Sequence, residues 1–345
     1  MTGERFRVGV TRDFLKPDGT LGFGDINLGL LDAAPNVEWE FLAEDTAELR
    51  PDQVRDYDGI IVLTPRVTAA TLADPGRLAV VARFGVGYDS MDVDACTRAG
   101  VALTITPDGV RRPVGQATLA FILALSTNIF HKDRITRAGR WDDRFDYTGL
   151  GLTGRTLGLV GLGNIGRDVA ELIRPFRMRI LVADPYTTPE MAAAAGVELT
   201  SLEDLLRRAD FVSIHCPLNE ETRGLIDAER LALMKPTAYL INTARGPIVD
   251  QRALTAALQA RQIAGAGLDV FEREPIDPAD PLLALDNVIV APHALCFTDE
   301  VALGNGASAC QALLAAAAGQ APRYIVNREV TEHASFQAKL ARWRG

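Results

Sequence analysis

A short apolar strand running straight into Gly161-Leu162-Gly163-Asn164-Ile165-Gly166, and from there into a helix, constrains this chain more tightly than any other feature. The glycines permit a tight turn and leave the backbone open where the helix begins. A pyrophosphate can then approach unpaired N–H groups at the positive end of the helix dipole. The helix carries Ile165, Val169, Leu172 and Ile173 on one stripe, and Pro175 predicts its end. The next strand, RILVAD, finishes in Asp184, eighteen residues after Gly166, near the position of the ribose-binding acid in a βαβ dinucleotide unit. A carboxylate there accepts from the 2′- and 3′-hydroxyls and repels a 2′-phosphate, and Pro185-Tyr186-Thr187-Thr188 supplies no arginine to receive one. NAD is therefore expected over NADP, held by Gly161, Gly163, Asn164, Ile165, Gly166 and Asp184. Arg167, next to the loop, reads equally as a pyrophosphate contact or a surface residue.

The same strand-helix alternation fills most of the chain. RVGV near residue 8, GIIVL, LAVVARF and VALTIT come before the glycine motif; TLGLVGLG, ILVADP, FVSIHCP, AYLINTARG, IAGAGLDVF and NVIVAPH form a second series of six. Apolar runs of this length alternating with helices read as parallel sheets covered on both faces. A chain of 345 residues has the length of two domains, so the expected fold class is α/β with two doubly wound parallel-sheet lobes. Asp92 and Gly100 read as the cap and the stop of one short helix. A longer helix is expected over residues 114 to about 129, apolar on all sides and so buried on most of them, and a small alanine-rich one over residues 313–318.

Several classes of partner are excluded. Thirty-six basic against 45 acidic residues give a formal charge of −9, the wrong sign for a nucleic-acid binder. The longest apolar stretch, ATLAFILAL, is far short of the roughly 20 residues that span a bilayer, so no membrane partner is expected. The opening MTGERFRVGV has no apolar signal-peptide core. Cys96, Cys216, Cys296 and Cys310 form neither a CxxC pair nor a Cys/His zinc set. A reducing cytoplasm and no metal are expected.

Three segments at ends of strands in the second series hold groups suited to chemistry: INTARGP, GLDVFEREP and VAPHALC. Arg245 stands in a loop turned by Gly246-Pro247, and its planar fork suits bidentate capture of a carboxylate beside a carbonyl. A surface ion pair is the plain alternative. Glu274 precedes Pro275 in an acidic loop, and His293 follows Pro292 where a strand gives out; a lone histidine is also an ordinary structural residue.

Taken together, the glycine motif with Asp184, the NTARG and DVFxxEP segments and the Pro292-His293 pair resemble the D-isomer-specific 2-hydroxyacid dehydrogenases, over roughly residues 8–330. That family includes phosphoglycerate, D-lactate, glyoxylate/hydroxypyruvate, formate and phosphite dehydrogenases. The resemblance implies a Rossmann NAD-binding domain, residues 113–295, inserted into a flavodoxin-like substrate domain, residues 1–112 and 296–345, with the site in the cleft between them. It further implies that Arg245 binds the substrate carboxylate and polarises the keto oxygen, that His293 is the general acid/base, and that Glu274 bonds and tunes that histidine. Asp269 contacts the nicotinamide carboxamide, Thr243 and Ala244 line the cofactor, and Val86 and Gly87 in the Gly85-Val86-Gly87-Tyr88-Asp89 loop hold the substrate carboxylate. The helix at 114–129 and the arm at 133–147 correspond to a homodimer contact. The expected reaction is hydride transfer between NAD and a D-2-hydroxy acid/2-oxo acid pair.

Departures from the family pattern leave the substrate open. Gln116 replaces an acid in the Val-Ala-Glu stretch, Gly109-Val110-Arg111-Arg112-Pro113 is unusually basic, and Ala294-Leu295-Cys296-Phe297-Thr298-Asp299 follows the histidine in place of a Gly- or Ala-rich run. Arg66 or Arg112 could receive a second polar group of the substrate, or be merely solvated, and Cys296 is expected to shape the pocket rather than react. His131, His215 and His333 read as structural or surface residues. Two alternatives stay open: a phosphite-type anion dehydrogenase using the same residues, and a non-catalytic NADH-sensing protein of the corepressor type.

Overall fold

The structure, a computed structural model, describes residues 4–344. It divides into two compact units, one running to Pro113 and resuming at Phe297, the other spanning Val114–Cys296. Among the described residues, the first unit holds five parallel strands: β1 (Phe6–Val10), β2 (Val37–Phe41), β3 (Gly59–Val62), β4 (Val80–Arg83) and β5 (Ala102–Thr104). Their order, β2-β1-β3-β4-β5, is that of a flavodoxin-like sheet. Side-chain alternation sends Ile61 to one face, with Phe6, Val8, Leu313 and Phe336, and Ile60 and Val62 to the other, with Leu49, Val54 and Leu103. Each such fully buried side chain is worth roughly 1.5–3 kcal/mol relative to exposure.

β2 was not expected from the sequence, because VEWEF lacks a continuous apolar run. It is an edge strand whose Glu38 and Glu40 face solvent and pair with Arg7 at 3.4 and 3.3 Å, while Val37 is buried. The Asp92 cap forms as expected, accepting from the Ala95 N–H at 2.8 Å, and Gly100 follows in the left-handed region.

The second unit is a seven-stranded parallel sheet: β6 (Thr156–Val160), β7 (Arg179–Ala183), β8 (Glu198–Leu199), β9 (Phe211–Ile214), β10 (Tyr239–Asn242), β11 (Gly265–Leu268) and β12 (Val288–Val290). The order is β12-β11-β10-β9-β6-β7-β8, the Rossmann arrangement with one extra strand. All six expected strands are present; β8, two residues long, carries too little pattern to be read. β9 and β11 are buried throughout, as strands covered on both faces must be. The order reverses between β6 and β9, so the chain ends leaving these two strands diverge and open a crevice at their carboxyl edge.

Two helices differ from expectation. The one expected at 114–129 spans Pro107–Thr127, with Pro113 inside it. Pro107 is preset for a first helical position, and Pro113 forfeits only one backbone bond early in the helix. Packing supports those early turns: a Cβ on Gly109 would stand 2.3 Å from the Asn305 nitrogen, so another helix crosses there at backbone contact. That helix is Asp299–Ala317, capped by Thr298, of which the expected 313–318 segment is only the end. Its Gly304 and Gly306 lower helix propensity and hid it from a sequence reading, yet Gly306 is what lets it lie against Ile26. The 107–127 helix is also less uniformly buried than expected, since Gln116, Ala120 and Thr127 are exposed. Among the described residues no single helix is long and apolar enough to cross a membrane.

Candidate active site

At the carboxyl end of β6, Gly161 turns the chain with φ +102°, and a Cβ there would meet the Cys216 nitrogen at 2.8 Å. The helix Asn164–Ile173 begins at once, with Gly163 as its N-cap. A Cβ on Gly166 would strike the Gly161 carbonyl oxygen at 2.4 Å, whereas one on Gly163 would project into open space. The loop is thus closed on its protein side and open at the helix N-terminus, the cradle a pyrophosphate needs. At the end of β7, Asp184 accepts the Leu162 N–H through Oδ2 at 2.7 Å and the Tyr186 N–H through Oδ1 at 2.8 Å. It binds the glycine loop to the second strand and keeps lone pairs for ribose hydroxyls. These residues fit a dinucleotide.

β10 ends in Asn242, which a reading of apolar strands passes over. Buried at the end of the strand, it takes the Ala244 N–H on Oδ1 at 3.0 Å and donates to the Arg245 carbonyl at 2.8 Å, fastening both sides of the turn that presents Arg245. The signal for it was a polar residue closing an apolar strand. Arg245 itself is extended, at φ −145°, and donates to the Ala244 carbonyl at 2.7 Å. The Thr243 hydroxyl lies 3.1 Å from that of Thr118.

Glu274 and His293 are brought together from two different loops. His293 Nδ1 is 2.8 Å from Glu274 Oε2, and Glu274 Oε1 accepts the Phe271 N–H at 3.0 Å. Burial pushes the Glu274 carboxyl up, but the hydrogen bond to His293, the Phe271 N–H and the charges of His293 and Arg245 outweigh it and hold it below the usual carboxylate value. The backbone of His293 is left-handed, φ +54°, a conformation uncommon outside glycine that surrounding bonds must impose. Asp269 supplies them: its buried carboxylate accepts the Ala294 and Leu295 N–H groups at 2.9 and 3.1 Å. Burial raises the Asp269 pKa, and those two N–H groups offset only part of the rise. The side expected to face the nicotinamide is thus also the anchor of the histidine loop.

In the first unit, β4 runs into Gly85, which adopts φ +136°. The Gly85 N–H donates to the Thr106 hydroxyl at 2.7 Å, and Arg83 Nε donates to the Gly87 carbonyl at 2.9 Å. With carbonyls and Gly85 N–H engaged inward, the Val86 and Gly87 N–H groups make no hydrogen bond among the described residues.

The other candidates behave as structural groups. His131 stacks on Tyr147 at 4.9 Å, and His333 caps the helix Ala334–Ala341 through Ser335 N–H. His215 bonds Ser213 at 2.9 Å, and burial pushes its pKa down to about 4. Burial pushes the Cys296 thiol up to about 11, far from a thiolate nucleophile. Arg66 is paired with Glu48 at 2.7 Å, and the same carboxylate takes the Thr68 hydroxyl. Arg112 lies partly buried within the Pro107–Thr127 helix. Arg167 lies in the first turn of the helix Asn164–Ile173. Among the described residues no group of three or more His, Cys, Asp or Glu side chains could hold a metal ion.

Comparison with known proteins bears on the family of the chain and on its fold. Residues 119–294 match the family model described as D-isomer specific 2-hydroxyacid dehydrogenase, NAD binding domain. A glyoxylate reductase of Korarchaeum cryptofilum is 40% identical over 298 residues, 85% of this chain and 90% of its own. The crystal structure of the TT0316 protein of Thermus thermophilus superposes with a TM-score of 0.80 at 34% identity, covering 93% of this chain and 99% of that one. A D-lactate dehydrogenase of Aquifex aeolicus, solved with NAD and lactic acid, gives a TM-score of 0.78 at 28% identity, covering 89% of this chain and 94% of that one.

Proposed function

The chain belongs to the D-isomer-specific 2-hydroxyacid dehydrogenase family, and from that membership we propose that it reduces a small 2-oxo acid of the glyoxylate type to its 2-hydroxy acid, with Arg245, His293 and Glu274 as the catalytic set. It is an NAD-dependent 2-hydroxyacid dehydrogenase. The observation that carries the assignment of roles is the 2.8 Å contact between His293 Nδ1 and Glu274 Oε2.

In the reductive direction, 2-oxo acid, NADH and one proton give 2-hydroxy acid and NAD. Bound NADH supplies the hydride to the carbonyl carbon. Arg245 holds the substrate carboxylate with its fork and stabilises the negative charge growing on the carbonyl oxygen. His293, with Nδ1 occupied by Glu274, carries the transferable proton on Nε2 and delivers it to that oxygen. Glu274 fixes the ring and offsets the imidazolium charge. We assign the remaining carboxylate contacts to the Val86 and Gly87 N–H groups. The cofactor contacts fall to Gly161, Gly163, Asn164, Ile165, Gly166 and Asp184, with Thr243, Ala244 and Asp269 beside the nicotinamide.

The test is NADH oxidation, with NADPH alongside, over glyoxylate, pyruvate, hydroxypyruvate, 2-oxoglutarate, phenylpyruvate and phosphohydroxypyruvate. Turnover highest with glyoxylate or hydroxypyruvate and with NADH preferred is the expected result. Absence of turnover throughout the panel, with NADH still bound, would defeat the catalytic reading.

A homodimer is the assembly we infer. Ile129, Phe130, Trp141 and Phe145 are 53%, 54%, 65% and 73% exposed, within and just after one helix, more apolar surface in one short stretch than an isolated chain usually leaves to water. Light scattering giving only the monomer mass would contradict it.

A further inference from the structure

The amino end of the second unit's sheet carries a feature the dehydrogenase chemistry does not use. A cavity of about 320 Å³ is lined by Thr156, Arg179, Leu181, Arg207, Arg208 and Lys235. Thr156 and Arg179 open β6 and β7, the two arginines close the helix Leu202–Arg208, and Lys235 lies just ahead of β10. The dinucleotide loop and Asp184 lie at the opposite ends of these strands, so this is a separate place.

Four cations around one small cavity repel each other unless anions are near. Two of them have such neighbours. Arg208 pairs with Glu198 at 2.8 Å and Asp204 at 3.2 Å. Lys235 pairs at 2.9 Å with Asp210, a buried carboxylate that also takes the Thr156 N–H at 2.9 Å and lies 3.8 Å from Arg155. Arg179 and Arg207 form no ion pair among the described residues. With Arg155 counted, five cations share three carboxylates here, in a chain whose overall charge is −9. Concentrating basic groups against the trend of the whole molecule is the mark of a surface that attracts an anion.

We propose that this cavity binds a compact polyphosphate anion, such as the pyrophosphate end of a free nucleotide or phosphorylated metabolite. Two uncompensated guanidinium forks match tetrahedral oxyanions bidentately, and the excess of two positive charges matches a multiply charged group better than a monocarboxylate substrate. Leu181 and the cavity's modest volume disfavour anything bulkier at its base.

Titration calorimetry of the full chain saturated with NADH, so that the dinucleotide loop is filled, tests this with pyrophosphate as the probe and citrate as a polycarboxylate of similar charge. One pyrophosphate per chain is expected, bound more tightly than citrate, and weakened about tenfold or more in Arg179→Gln/Arg207→Gln. Turnover and NADH affinity of that variant should be unchanged. The single change Arg207→Gln should give an intermediate loss and guards against a folding defect of the pair. Absence of binding at millimolar pyrophosphate, equal binding by the variants, or citrate binding as tightly as pyrophosphate would each overturn the proposal.

Discussion

His293 Nδ1 lies 2.8 Å from Glu274 Oε2, while the other oxygen of that carboxylate accepts the Phe271 N–H at 3.0 Å. Glu274 is therefore held from behind by backbone and in front by the imidazole, and cannot turn without losing a bond. Its carboxyl lies below the usual value. The pairing is thus complete above the ordinary carboxylate pKa of about 4.3 and is lost only as pH falls through the lower, folded value. Throughout the neutral range the histidine faces a full negative charge.

Glu274→Gln keeps an acceptor for Nδ1–H but removes that charge. The imidazolium from which the proton is delivered then loses its counter-charge, so kcat for reduction should fall about tenfold or more while NADH affinity holds. A rate left unchanged would mean that Glu274 orients the ring without its charge contributing.

Arg245→Lys keeps the charge and loses the fork. A single ammonium cannot meet a carboxylate and its neighbouring carbonyl together, so KM for the 2-oxo acid should rise about 10- to 100-fold with kcat also reduced, and NADH affinity should hold. Steady-state kinetics and a separate NADH titration read the two effects apart. A loss confined to NADH binding would place Arg245 with the cofactor instead.

Asp184→Ala removes the proposed acceptor of the ribose hydroxyls and the repulsion toward a 2′-phosphate. NADH affinity should fall about 10- to 100-fold and the gap between NADH and NADPH should narrow. The Leu162 and Tyr186 N–H groups also lose their partner, so a lower melting temperature accompanies the change. A cofactor preference identical to that of the parent would remove Asp184 from the selection of NAD.

What the sequence makes legible is whatever depends on neighbours along the chain. The strand, glycine loop and helix at 156–173 announce themselves because turn, helix start and apolar stripe occupy adjacent residues. β3 and β9 do so because burial on both faces leaves unbroken apolar runs. β2 escaped because an edge strand alternates with charge, and the Asp299–Ala317 helix because its glycines serve close contacts with Gly109 and Ile26, far away along the chain. In the site, motif resemblance could propose Glu274 and His293 as partners, but not Asp269 as the clamp on Ala294 and Leu295, nor Asn242 as the brace of the Arg245 turn. Both side chains act on backbone groups, which carry no sequence signal of their own, and the one trace of either role is the polar Asn242 closing an apolar strand.

His215 gives a prediction for stability rather than catalysis. It sits under the glycine loop, its carbonyl carbon 2.9 Å from where a Cβ of Gly161 would stand, and burial lowers its pKa to about 4, against about 6.5 in an unfolded chain. Between these values the unfolded chain takes up a proton that the folded chain refuses. The stability that comes from keeping the ring neutral is therefore complete above about pH 6.5 and drains away as pH falls toward 4, by something on the order of 2–3 kcal/mol. His215→Gln has no such group to protonate. Although it should be less stable at pH 7 for want of the Ser213 bond and the packing of the ring, its melting temperature should fall less steeply from pH 6.5 to 4, so that the two curves converge. Curves that stay parallel across that interval would show that the acid sensitivity of the fold lies in its carboxylates alone.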